Sequence, residues 1–345
     1  MQLAIIGAGC AGLAAARELR RQRPDLAITV YEKSRGLGGR AATRRRDGFV
    51  FDHGAQYFKT PDPALERLIT EELPTDLLHD IGMPVWTFDV DGTIAEGDPQ
   101  QNVDPKWTYR DGLNRLGKLL VEGLDVRREV RIARLEHHDG PGGRWSLVDT
   151  SGALAGTVDR VLLTPPAPQT ADLLAALPPD PRDALLAELG QARYRRCISL
   201  ALAYHRPLAR PFYALVNTDR RHPIAWLALE HQKAPGRSPS GHSLLLPQMA
   251  PQWSLDHWDT SEAQLAALAA PLAAALLGEE LGDPLWCDVQ RWRYALPDAG
   301  VDFDTLNRLG APHGLFFAGD STTGQGRVHL ALASGLRAAQ LIASD

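Results

Sequence analysis

Three glycines and one acidic residue near the N-terminus have the types and spacing of a dinucleotide-binding site. The glycines form the pattern Gly7-x-Gly9-x-x-Gly12, and Glu32 closes a later apolar segment. Gly7 permits a tight turn, Gly9 lets the backbone approach a pyrophosphate, and Gly12 lets a helix pack closely on a strand. A carboxylate at position 32 can accept hydrogen bonds from ribose hydroxyls. The pattern therefore predicts binding of a dinucleotide through its phosphates and one ribose.

The segments around these glycines predict one βαβ unit. Residues 3–6 indicate a buried strand, residues 10–22 have the periodicity of an amphipathic helix, and residues 27–31 indicate a second strand. The N-terminus of the helix would present free N–H groups and the positive end of its dipole to the phosphates. The unit is therefore expected to hold the glycines and Glu32 around one ligand.

Two further segments favour FAD over NAD as that ligand. Residues 38–40, Gly-Gly-Arg, come soon after the ribose acid; the glycines can lie against a diphosphate, and Arg40 offers it a forked cation. Gly319-Asp320 follows a late apolar strand and precedes a helix predicted over residues 328–343. An extended cofactor needs such a second binding end, with Asp320 near its ribityl or pyrophosphate part and the helix N-terminus facing the flavin pyrimidine.

These and other segments resemble the bacterial renalase-type branch of the flavin amine-oxidase superfamily. The Gly-Gly-Arg motif is shared by the superfamily, whereas Asp-x-Gly-Ala-Gln-Tyr-Phe and Thr-Pro-x-Ala-Pro-Gln are more specific to the branch. The matching segments span nearly the whole chain and are residues 7–12, 33–40, 52–58, 164–169, 291–295, 319–320 and 327–328. The resemblance implies an α/β fold: a Rossmann-like FAD-binding domain of the p-hydroxybenzoate hydroxylase and amine-oxidase type, with a second α+β substrate domain built on an antiparallel sheet.

The resemblance also implies which residues line FAD. Gln56 and Tyr57 would lie beside the isoalloxazine, and Val130 would meet the adenine through its backbone. The expected cofactor-binding residues are Gly7, Gly9, Cys10, Ala11, Gly12, Glu32, Lys33, Gly39, Arg40, Ala41, Gln56, Tyr57, Val130, Asp320, Arg327 and Val328. No cysteine lies in the final segment where related oxidases attach flavin covalently, so non-covalent FAD is expected.

Six residues are candidates to face the flavin or the substrate, and none is a certain catalytic group. They are Gln56, Tyr57, Trp226, His231, Trp292 and Tyr294. The aromatic side chains could wall a flat substrate, although tryptophans at strand positions also serve as core. His231 could bond the substrate or belong to a surface loop. Segment 230–237 departs from the family pattern, as do Arg195 and Arg196 where a proline is usual, and both departures bear on substrate recognition.

The chain length of 345 residues predicts two lobes. The FAD-binding lobe is expected to comprise residues 1–60, 106–165 and 296–345, and the substrate lobe residues 61–105 and 166–295. The other predicted elements are a strand at 49–51, helices at 64–73, 112–123 and 165–189, a hairpin strand at 85–88 that turns at 91–92, antiparallel strands at 126–135, 145–148 and 158–163 with a turn at 140–143, strands at 194–204, 212–216, 224–229 and 243–246, and a late strand at 315–318.

The composition favours small-molecule partners. With 37 basic and 42 acidic residues the formal charge is −5, which gives no overall attraction to nucleic acid or anionic lipid, and no run has the length of a membrane span. Cys10, Cys197 and Cys287 form no metal or disulfide pattern, and His137-His138 lacks the spacing of a metal pair, so no metal is expected. The N-terminal strand leaves no room for a signal peptide, which favours a cytoplasmic protein. The oligomeric state stays open.

The expected activity is that of an FAD-dependent oxidase. A small planar substrate would give hydride to the flavin N5, and dioxygen would reoxidise the flavin to yield hydrogen peroxide. Such a hydride donor needs no general base. The renalase resemblance implies oxidation of the 2- or 6-dihydro isomers of NAD(P)H to NAD(P)+. A flavin amine oxidase or desaturase and a non-catalytic redox sensor stay open, as does an NAD-dependent dehydrogenase, which residues 38–40 and 319–320 disfavour.

Overall fold

The computed structural model describes residues 1–138 and 144–345, so the predicted turn at 140–143 lies outside the described residues. In chain order the strands are β1 (Gln2–Ile6), β2 (Ala27–Glu32), β3 (Thr43–Arg46), β4 (Phe49–Asp52), β5 (Leu78–Asp80), β6 (Val85–Phe88), β7 (Ile94–Ala95), β8 (Trp107–Tyr109), β9 (Asp125–Arg128), β10 (Ile132–His138), β11 (Arg144–Asp149), β12 (Leu154–Val158), β13 (Arg160–Leu163), β14 (Arg193–Tyr204), β15 (Ala214–Asn217), β16 (Ile224–Leu229), β17 (Ser243–Met249), β18 (Trp286–Ala299) and β19 (Leu315–Phe317). The α-helices are α1 (Cys10–Gln22), α2 (Pro63–Arg67), α3 (Arg115–Leu120), α4 (Ala167–Leu174), α5 (Pro179–Leu189), α6 (Pro251–Asp256), α7 (Glu262–Leu277), α8 (Phe303–Gly310) and α9 (Val328–Ser344).

Five parallel strands form the first sheet, in the order β19-β13-β1-β2-β9. Successive residues of β1 point to opposite faces and are buried on both, as expected for the centre of a parallel sheet. Leu3 and Ile5 share a hydrophobic core with α1, α3 and α9. Ala4 and Ile6 pack with the antiparallel sheet β10-β11-β12 and with α4, α5 and α8. The predicted βαβ unit is confirmed, and it brings the glycine pattern to the carboxyl end of the central strand.

Two of the predicted antiparallel strands are in fact parallel. Within segment 126–135, β9 runs parallel to β2, and β13 of segment 158–163 runs parallel to β1. Apolar spacing within a strand does not encode the direction of its neighbour, because that direction depends on how the chain crosses over. The helix predicted over 112–123 is limited to α3, since Gly112 and Gly123 take φ values of +111° and +73° on either side of it.

Seven strands form the second sheet, in the order β18-β14-β17-β16-β15-β6-β7. Neighbours run antiparallel except β15 and β6. One face, with Leu200 and Leu227, packs under α7. The opposite face is built of smaller residues such as Ala228, packs on Phe51 of β4, and turns Trp226 toward the segment that follows β4. The predicted fold class, a Rossmann-like domain with a second, largely antiparallel sheet, is confirmed.

Candidate functional site

The turn between β1 and α1 needs two of its glycines for steric reasons. Gly7 has φ of +104°, and its N–H donates to the carbonyl of Tyr31 at 2.8 Å. A Cβ atom added to Gly12 would lie 2.1 Å from the carbonyl oxygen of Gly7. The backbone of α1 therefore passes closer to this turn than any side chain allows, as the sequence pattern predicted.

The third glycine borders open space at the N-terminus of α1. Gly9 is the N-cap, no side chain caps the helix, and its first turn contains no acidic residue. A Cβ atom added to Gly9 would have nothing within 4 Å. Because an α-helix leaves the N–H groups of its first turn without intrahelical partners, those of Cys10, Ala11 and Gly12 are available here to an anion.

Glu32 is fixed at the end of β2 by backbone donors. The carboxylate is 8% exposed and accepts hydrogen bonds from the N–H groups of Ala8 at 2.9 Å and Ser34 at 2.8 Å. Each carboxylate oxygen keeps a free lone pair, which suits a ribose diol. The main-chain carbonyl of Glu32 accepts the N–H of Val130 at 3.0 Å. A backbone contact between Val130 and an adenine therefore has to use its carbonyl oxygen, because the N–H is already engaged.

The glycine pair 38–39 lies against the βαβ turn. The Gly38 N–H donates to the carbonyl of Ala8 at 2.8 Å, and the N–H of the buried Ala41 donates to the carbonyl of Gly38. Gly38 and Gly39 both have positive φ, and a Cβ on Gly39 would lie 3.2 Å from the Cα of Gly9. The two glycine loops thus form one cradle, which a Cβ would narrow and which faces the N-terminus of α1. A diphosphate fits such a cradle.

Arg40 contacts a carboxylate of its own chain, and its contact with the diphosphate stays a prediction. Its Nη1 and Nη2 atoms lie 2.6 and 2.7 Å from the two carboxylate oxygens of Asp320. Nη1 also donates to the carbonyls of Tyr294 and Ala295, and the Tyr194 hydroxyl donates to Asp320 at 3.1 Å. Asp320 is 4% exposed, so the pair joins the two predicted ends of the cofactor site from within the protein.

The other predicted cofactor residues have simpler surroundings. Arg327 is exposed, is the N-cap of α9, and donates to the carbonyl of its neighbour Gly326, while Val328 is buried in the first turn. Lys33 donates to the side chain of Gln169 at 3.0 Å, and burial lowers the pKa of its ammonium group. The N-terminus of α9 therefore lies next to the Asp320 turn. Among the described residues, neither Arg327 nor Lys33 has a recorded bond to that turn.

Segment 53–57 lies between the cofactor loop and the second sheet. The carbonyl of His53 accepts the indole N–H of Trp292 at 2.8 Å, and the carbonyl of Gly54 accepts the side-chain N–H of Gln248 at 2.7 Å. From the other side, the Ala55 N–H donates to the carbonyl of Arg40 at 2.9 Å. The segment is therefore held between the second sheet and the loop of Arg40.

Gln56 holds this segment rather than extending away from it. Its Nε2 donates to the carbonyls of Asp52 at 2.6 Å and Gly54 at 3.1 Å, and its Oε1 accepts the hydroxyl of Tyr213 at 3.3 Å. Both amide hydrogens are thus used within the chain. The Gln56 side chain therefore fixes the conformation of the loop, and the place of Gln56 beside the isoalloxazine stays a prediction.

Three of the predicted aromatic residues line segment 53–57, Trp292 at its His53 end and Trp226 at its Tyr57 end. The rings of Tyr57 and Trp226 lie 6.2 Å apart, and Trp292 stacks on His53 at 5.5 Å with an interplanar angle of 11°. We call Tyr57, Trp226 and Trp292 the aromatic wall. All three are partly exposed, and the buried indole nitrogen of Trp226 has no hydrogen-bond partner among residues 1–138 and 144–345. Tyr294 lies outside the wall and meets Tyr194 edge-on at 5.7 Å, beside the Asp320 turn.

His231 belongs to the fold, which corrects its place among the substrate-facing candidates. Its Nδ1 accepts the N–H of Leu244 at 3.1 Å, and its Nε2 lies 2.6 Å from the carbonyl of Leu208. Burial lowers its pKa, consistent with a neutral ring that donates from Nε2. Both nitrogens are therefore engaged with backbone. Arg196 is the other residue for which the sequence left substrate contact undecided, and its guanidinium lies over the ring of Trp258 at 4.7 Å.

His53 is a site residue that sequence analysis did not single out. It is 7% exposed, and its Nδ1 atom has no partner in the part of the chain that the structure describes. Burial lowers its pKa from 6.5 to about 4, so the ring is neutral near pH 7. Its place inside the branch-specific segment 52–58 was the available signal, but a lone histidine in a motif does not show what it stacks on.

Four charged side chains behind segment 53–57 were also missed. Asp52, Glu230, Lys233 and Arg237 are all 0% exposed and contact one another; we call them the buried charge cluster. The sequence places them in the two segments 52–58 and 230–237, whose contact is visible only in the fold. Their pairing gives the departing segment 230–237 a structural role.

The remaining residues with possible metal or redox chemistry carry packing roles. Burial raises the pKa of the thiols of Cys10 and Cys287 to about 12 and that of Cys197 to about 11. His138 lies 2.7 Å from the hydroxyl of Ser146, and His137 packs on the ring of Trp145. Among the described residues no group of three histidines, cysteines or carboxylates is arranged to hold a metal. Within the same residues, no helix combines the length and apolar character needed to cross a bilayer.

Comparison with protein families gives two matches. Residues 92–343 match the family described as flavin containing amine oxidoreductase, and residues 5–71 match an NAD(P)-binding Rossmann-like domain. Among curated proteins, the 4,4'-diapophytoene desaturase of Staphylococcus aureus (strain Newman) is 42% identical over 62 residues. That match covers 18% of this chain and only 12% of the desaturase.

Comparison with solved structures shows the same fold over almost the whole chain. A putative protoporphyrinogen oxidase from Exiguobacterium sp. 255-15 has a TM-score of 0.80 and 20% identity, covering 99% of this chain and 98% of its own. A putrescine oxidase variant has a TM-score of 0.74 and 16% identity, covering 100% and 99%. A UDP-galactopyranose mutase has a TM-score of 0.76 and 10% identity, covering 99% and 95%.

The family match spans most of the chain, and the cradle, Glu32 and the free N-terminus of α1 fit the phosphates and ribose of a dinucleotide. FAD is therefore assigned as the cofactor. The chain belongs to the flavin containing amine oxidoreductases and is an FAD-dependent oxidoreductase.

Proposed function

We propose that the protein is an oxidase for dihydronicotinamide dinucleotides that carry the hydride at ring position 2 or 6. It would return them to NAD(P)+ while dioxygen is reduced to hydrogen peroxide. FAD, when bound, supplies the two-electron chemistry that takes up the hydride and passes the electrons to dioxygen. The protein's own task is then to bind a flat ring, orient it and exclude water.

The aromatic wall is the observation that carries this proposal. Tyr57, Trp226 and Trp292 come from three separate parts of the chain and lie along segment 53–57, Trp226 against Tyr57 and Trp292 against His53. Planar aromatic faces favour a planar substrate. The indole N–H of Trp226 has no partner among the described residues, and a ring carboxamide oxygen could accept its hydrogen bond. A buried donor without a partner costs free energy, which such a bond would recover. A dihydronicotinamide offers both the flat ring and the carboxamide.

The carboxylates near the wall support a reaction without a general base, and the low pKa of His53, about 4, makes its ring a weak base. Asp320 is paired with Arg40, and Asp52 is paired with Lys233 and Arg237. An ion-paired carboxylate is a poor proton acceptor near neutral pH. Amine oxidation and desaturation on the same fold are the alternatives, and the desaturase match bears only on an N-terminal segment, not on the wall.

Product analysis tests the proposal. Purified 2- or 6-dihydro NAD(P) isomers incubated with enzyme and air should give NAD(P)+ and about one hydrogen peroxide per turnover, as a two-electron oxidase requires. Trp226→Phe keeps the ring but removes the N–H, so KM should rise roughly tenfold, as expected for one lost hydrogen bond of about 1.4 kcal/mol. Conversion of simple amines in place of these isomers would assign the protein to the amine-oxidase activity.

We further propose that FAD is bound without a covalent bond and that the chain has two domains. All three cysteines are free, and Cys10, near the cradle, is a buried neutral thiol. Acid precipitation should release intact FAD into the supernatant, and flavin left in the pellet would oppose this.

The FAD-binding domain would comprise residues 1–60, 106–165 and 296–345, and the substrate domain would comprise the rest. Free thiols also suit the cytoplasm, where we place the enzyme.

A further inference from the structure

The buried charge cluster consists of two acids and two bases with no exposed surface. Lys233 Nζ lies 2.7 Å from Asp52 Oδ2, and Arg237 Nη1 lies 3.0 Å from the same oxygen. Glu230 Oε1 lies 2.8 Å from Arg237 Nη1 and 3.4 Å from Lys233 Nζ. The charges balance, so removal of any one side chain leaves an uncompensated charge in the interior.

Stability alone is a weak reason for such a cluster. The free energy lost when ions leave water is about as large as the free energy that their mutual attraction returns. Apolar residues of similar volume often stabilise a protein equally well. What the cluster adds is fixed geometry, because Asp52 and Arg237 are also bonded outside it. The second Asp52 oxygen accepts the Thr43 hydroxyl and the Leu113 N–H, and Arg237 Nη2 donates to the carbonyl of Tyr109.

These bonds tie together segments that are remote in sequence. Glu230 Oε1 accepts the main-chain N–H of Asp52 at 3.0 Å, and the main-chain carbonyl of Arg237 accepts the N–H of Val50 at 2.9 Å. The carboxylate of Asp52 thus has four donors around it, two from the cluster and two from the cofactor half of the chain. Burial opposes ionisation of Asp52, but Arg237 and Lys233 outweigh it and hold its pKa below the usual range.

The cluster contacts the candidate site through one side chain. The main-chain carbonyl of Asp52 accepts Gln56 Nε2 at 2.6 Å, and the Tyr213 hydroxyl donates to Gln56 Oε1 at 3.3 Å. The ring of Tyr213 in turn lies 6.0 Å from Lys233 Nζ. Gln56 is followed by Tyr57, a member of the aromatic wall, so the direction of Tyr57 depends on residues that touch neither substrate nor solvent.

We propose that Asp52, Glu230, Lys233 and Arg237 are positioning residues that hold segment 53–57 in the conformation the oxidation requires. This rests on the proposed function in one respect, since segment 53–57 is taken to lie beside the flavin and its substrate. A misplacement of about 1 Å in such a segment can lower the rate of a reaction about a hundredfold. The cluster acts through Gln56 and the main chain, not through contact with the reacting atoms.

The test compares Asp52→Asn, Lys233→Met and the charge-balanced double variant with a matched surface control, Asp304→Asn. Asp304 is 70% exposed and pairs with the exposed Arg337, away from the site residues described above. Each protein is purified with FAD, and the visible circular dichroism of the flavin, its midpoint potential and the rate of its anaerobic reduction are measured. The first two need no substrate, so they test positioning even if the dihydronicotinamide isomers fail to react.

The single variants should change the flavin circular dichroism and potential and slow flavin reduction roughly tenfold to a hundredfold, with the control unchanged. If a single variant does not fold, the double variant, which keeps the charges balanced, gives the same readouts. Variants that lose thermal stability but keep wild-type dichroism, potential and reduction rate would overturn the proposal, because the cluster would then serve folding alone. Absence of wild-type reduction by the isomers would refute the proposed substrate and leave this inference to the two flavin readouts.

Discussion

Arg40 and Asp320 are 280 residues apart in the sequence and form a two-pronged ion pair at the carboxyl end of the parallel sheet. The same guanidinium donates to the consecutive carbonyls of Tyr294 and Ala295. Consecutive carbonyls of a regular strand point in opposite directions, so this contact depends on the irregular register between β14 and β18 next to Arg195. One side chain therefore fastens the cofactor loop, the C-terminal segment and the second sheet.

Replacement of Arg40 by Gln should destabilise the protein by about 3 kcal/mol, because Asp320 would be left as a buried, unpaired carboxylate. Arg40→Lys should recover little of this, since an ammonium cannot bond both oxygens in parallel. Chemical denaturation measures both. The control is Arg21→Gln, which breaks an exposed pair with Glu18 and should cost under about 1 kcal/mol. Equal losses at Arg40 and Arg21 would contradict the assigned role.

Two glycines of the first turn should respond differently to alanine. Gly9 has φ of −76° and open space around the added Cβ, so Gly9→Ala should leave the apoprotein's melting temperature nearly unchanged while weakening FAD binding. Gly12→Ala should prevent stable folding, because its Cβ would lie 2.1 Å from the Gly7 carbonyl oxygen. Thermal melts of the apoproteins and FAD titration separate the two effects. Full FAD affinity in Gly9→Ala would place the diphosphate elsewhere.

Glu32→Ala should lower FAD affinity by roughly 1.5–3 kcal/mol, or about tenfold to a hundredfold, since a ribose diol loses a charged acceptor. The N–H groups of Ala8 and Ser34 lose their acceptor as well. Flavin fluorescence quenching gives the dissociation constant. Asp125→Ala is the matched control, because Asp125 lies on the neighbouring strand β9 and its side chain accepts the exposed hydroxyl of Thr29. Unchanged FAD affinity in the Glu32 variant would show that the ribose does not bind at this position.

His53 should make the apoprotein less stable in mild acid. Burial lowers the pKa of His53 to about 4 in the folded protein, against 6.5 in the unfolded chain. Between these two pH values the unfolded chain takes up the proton and the folded protein does not. Stability from this group is lost as the pH falls, by roughly 2 kcal/mol between about pH 7 and about pH 5. His53→Gln should show a loss smaller by that amount in urea denaturation at the two pH values. An identical loss in both proteins would show that His53 ionises freely in the fold.

The βαβ unit could be predicted from sequence because its determinants are local. Apolar periodicity sets the strand and the helix, and the backbone of the turn admits only glycine at positions 7 and 12. The same holds for Glu32, whose place at a strand end follows from the length of β2. The alternation in segments 126–135 and 158–163 identified strands but not their direction, which the crossover connections decide.

Other side-chain contacts could not be predicted, because the partners lie elsewhere in the sequence. Arg40 suits a diphosphate by chemistry, and only the fold shows that Asp320 occupies its fork. His231 was a candidate because a histidine can bond a substrate, yet Leu208 and Leu244 take up both of its nitrogens. The buried charge cluster was missed for the same reason, since charge runs in a sequence are usually solvated and nothing local in 230–237 indicates burial.

The measurement that tests the central claim most directly is anaerobic mixing of the oxidised enzyme with candidate donors while flavin absorbance is followed. A 2- or 6-dihydro isomer of NAD(P)H should bleach the flavin rapidly, because its flat ring can lie on the aromatic wall with a hydride already available. Ordinary 4-dihydro NADH should react far more slowly, since the same orientation directs its hydride elsewhere. Readmitted oxygen should restore the absorbance and give about one hydrogen peroxide per flavin. Rapid bleaching by simple amines with no response to the isomers, or no bleaching by any donor, would contradict the proposed function.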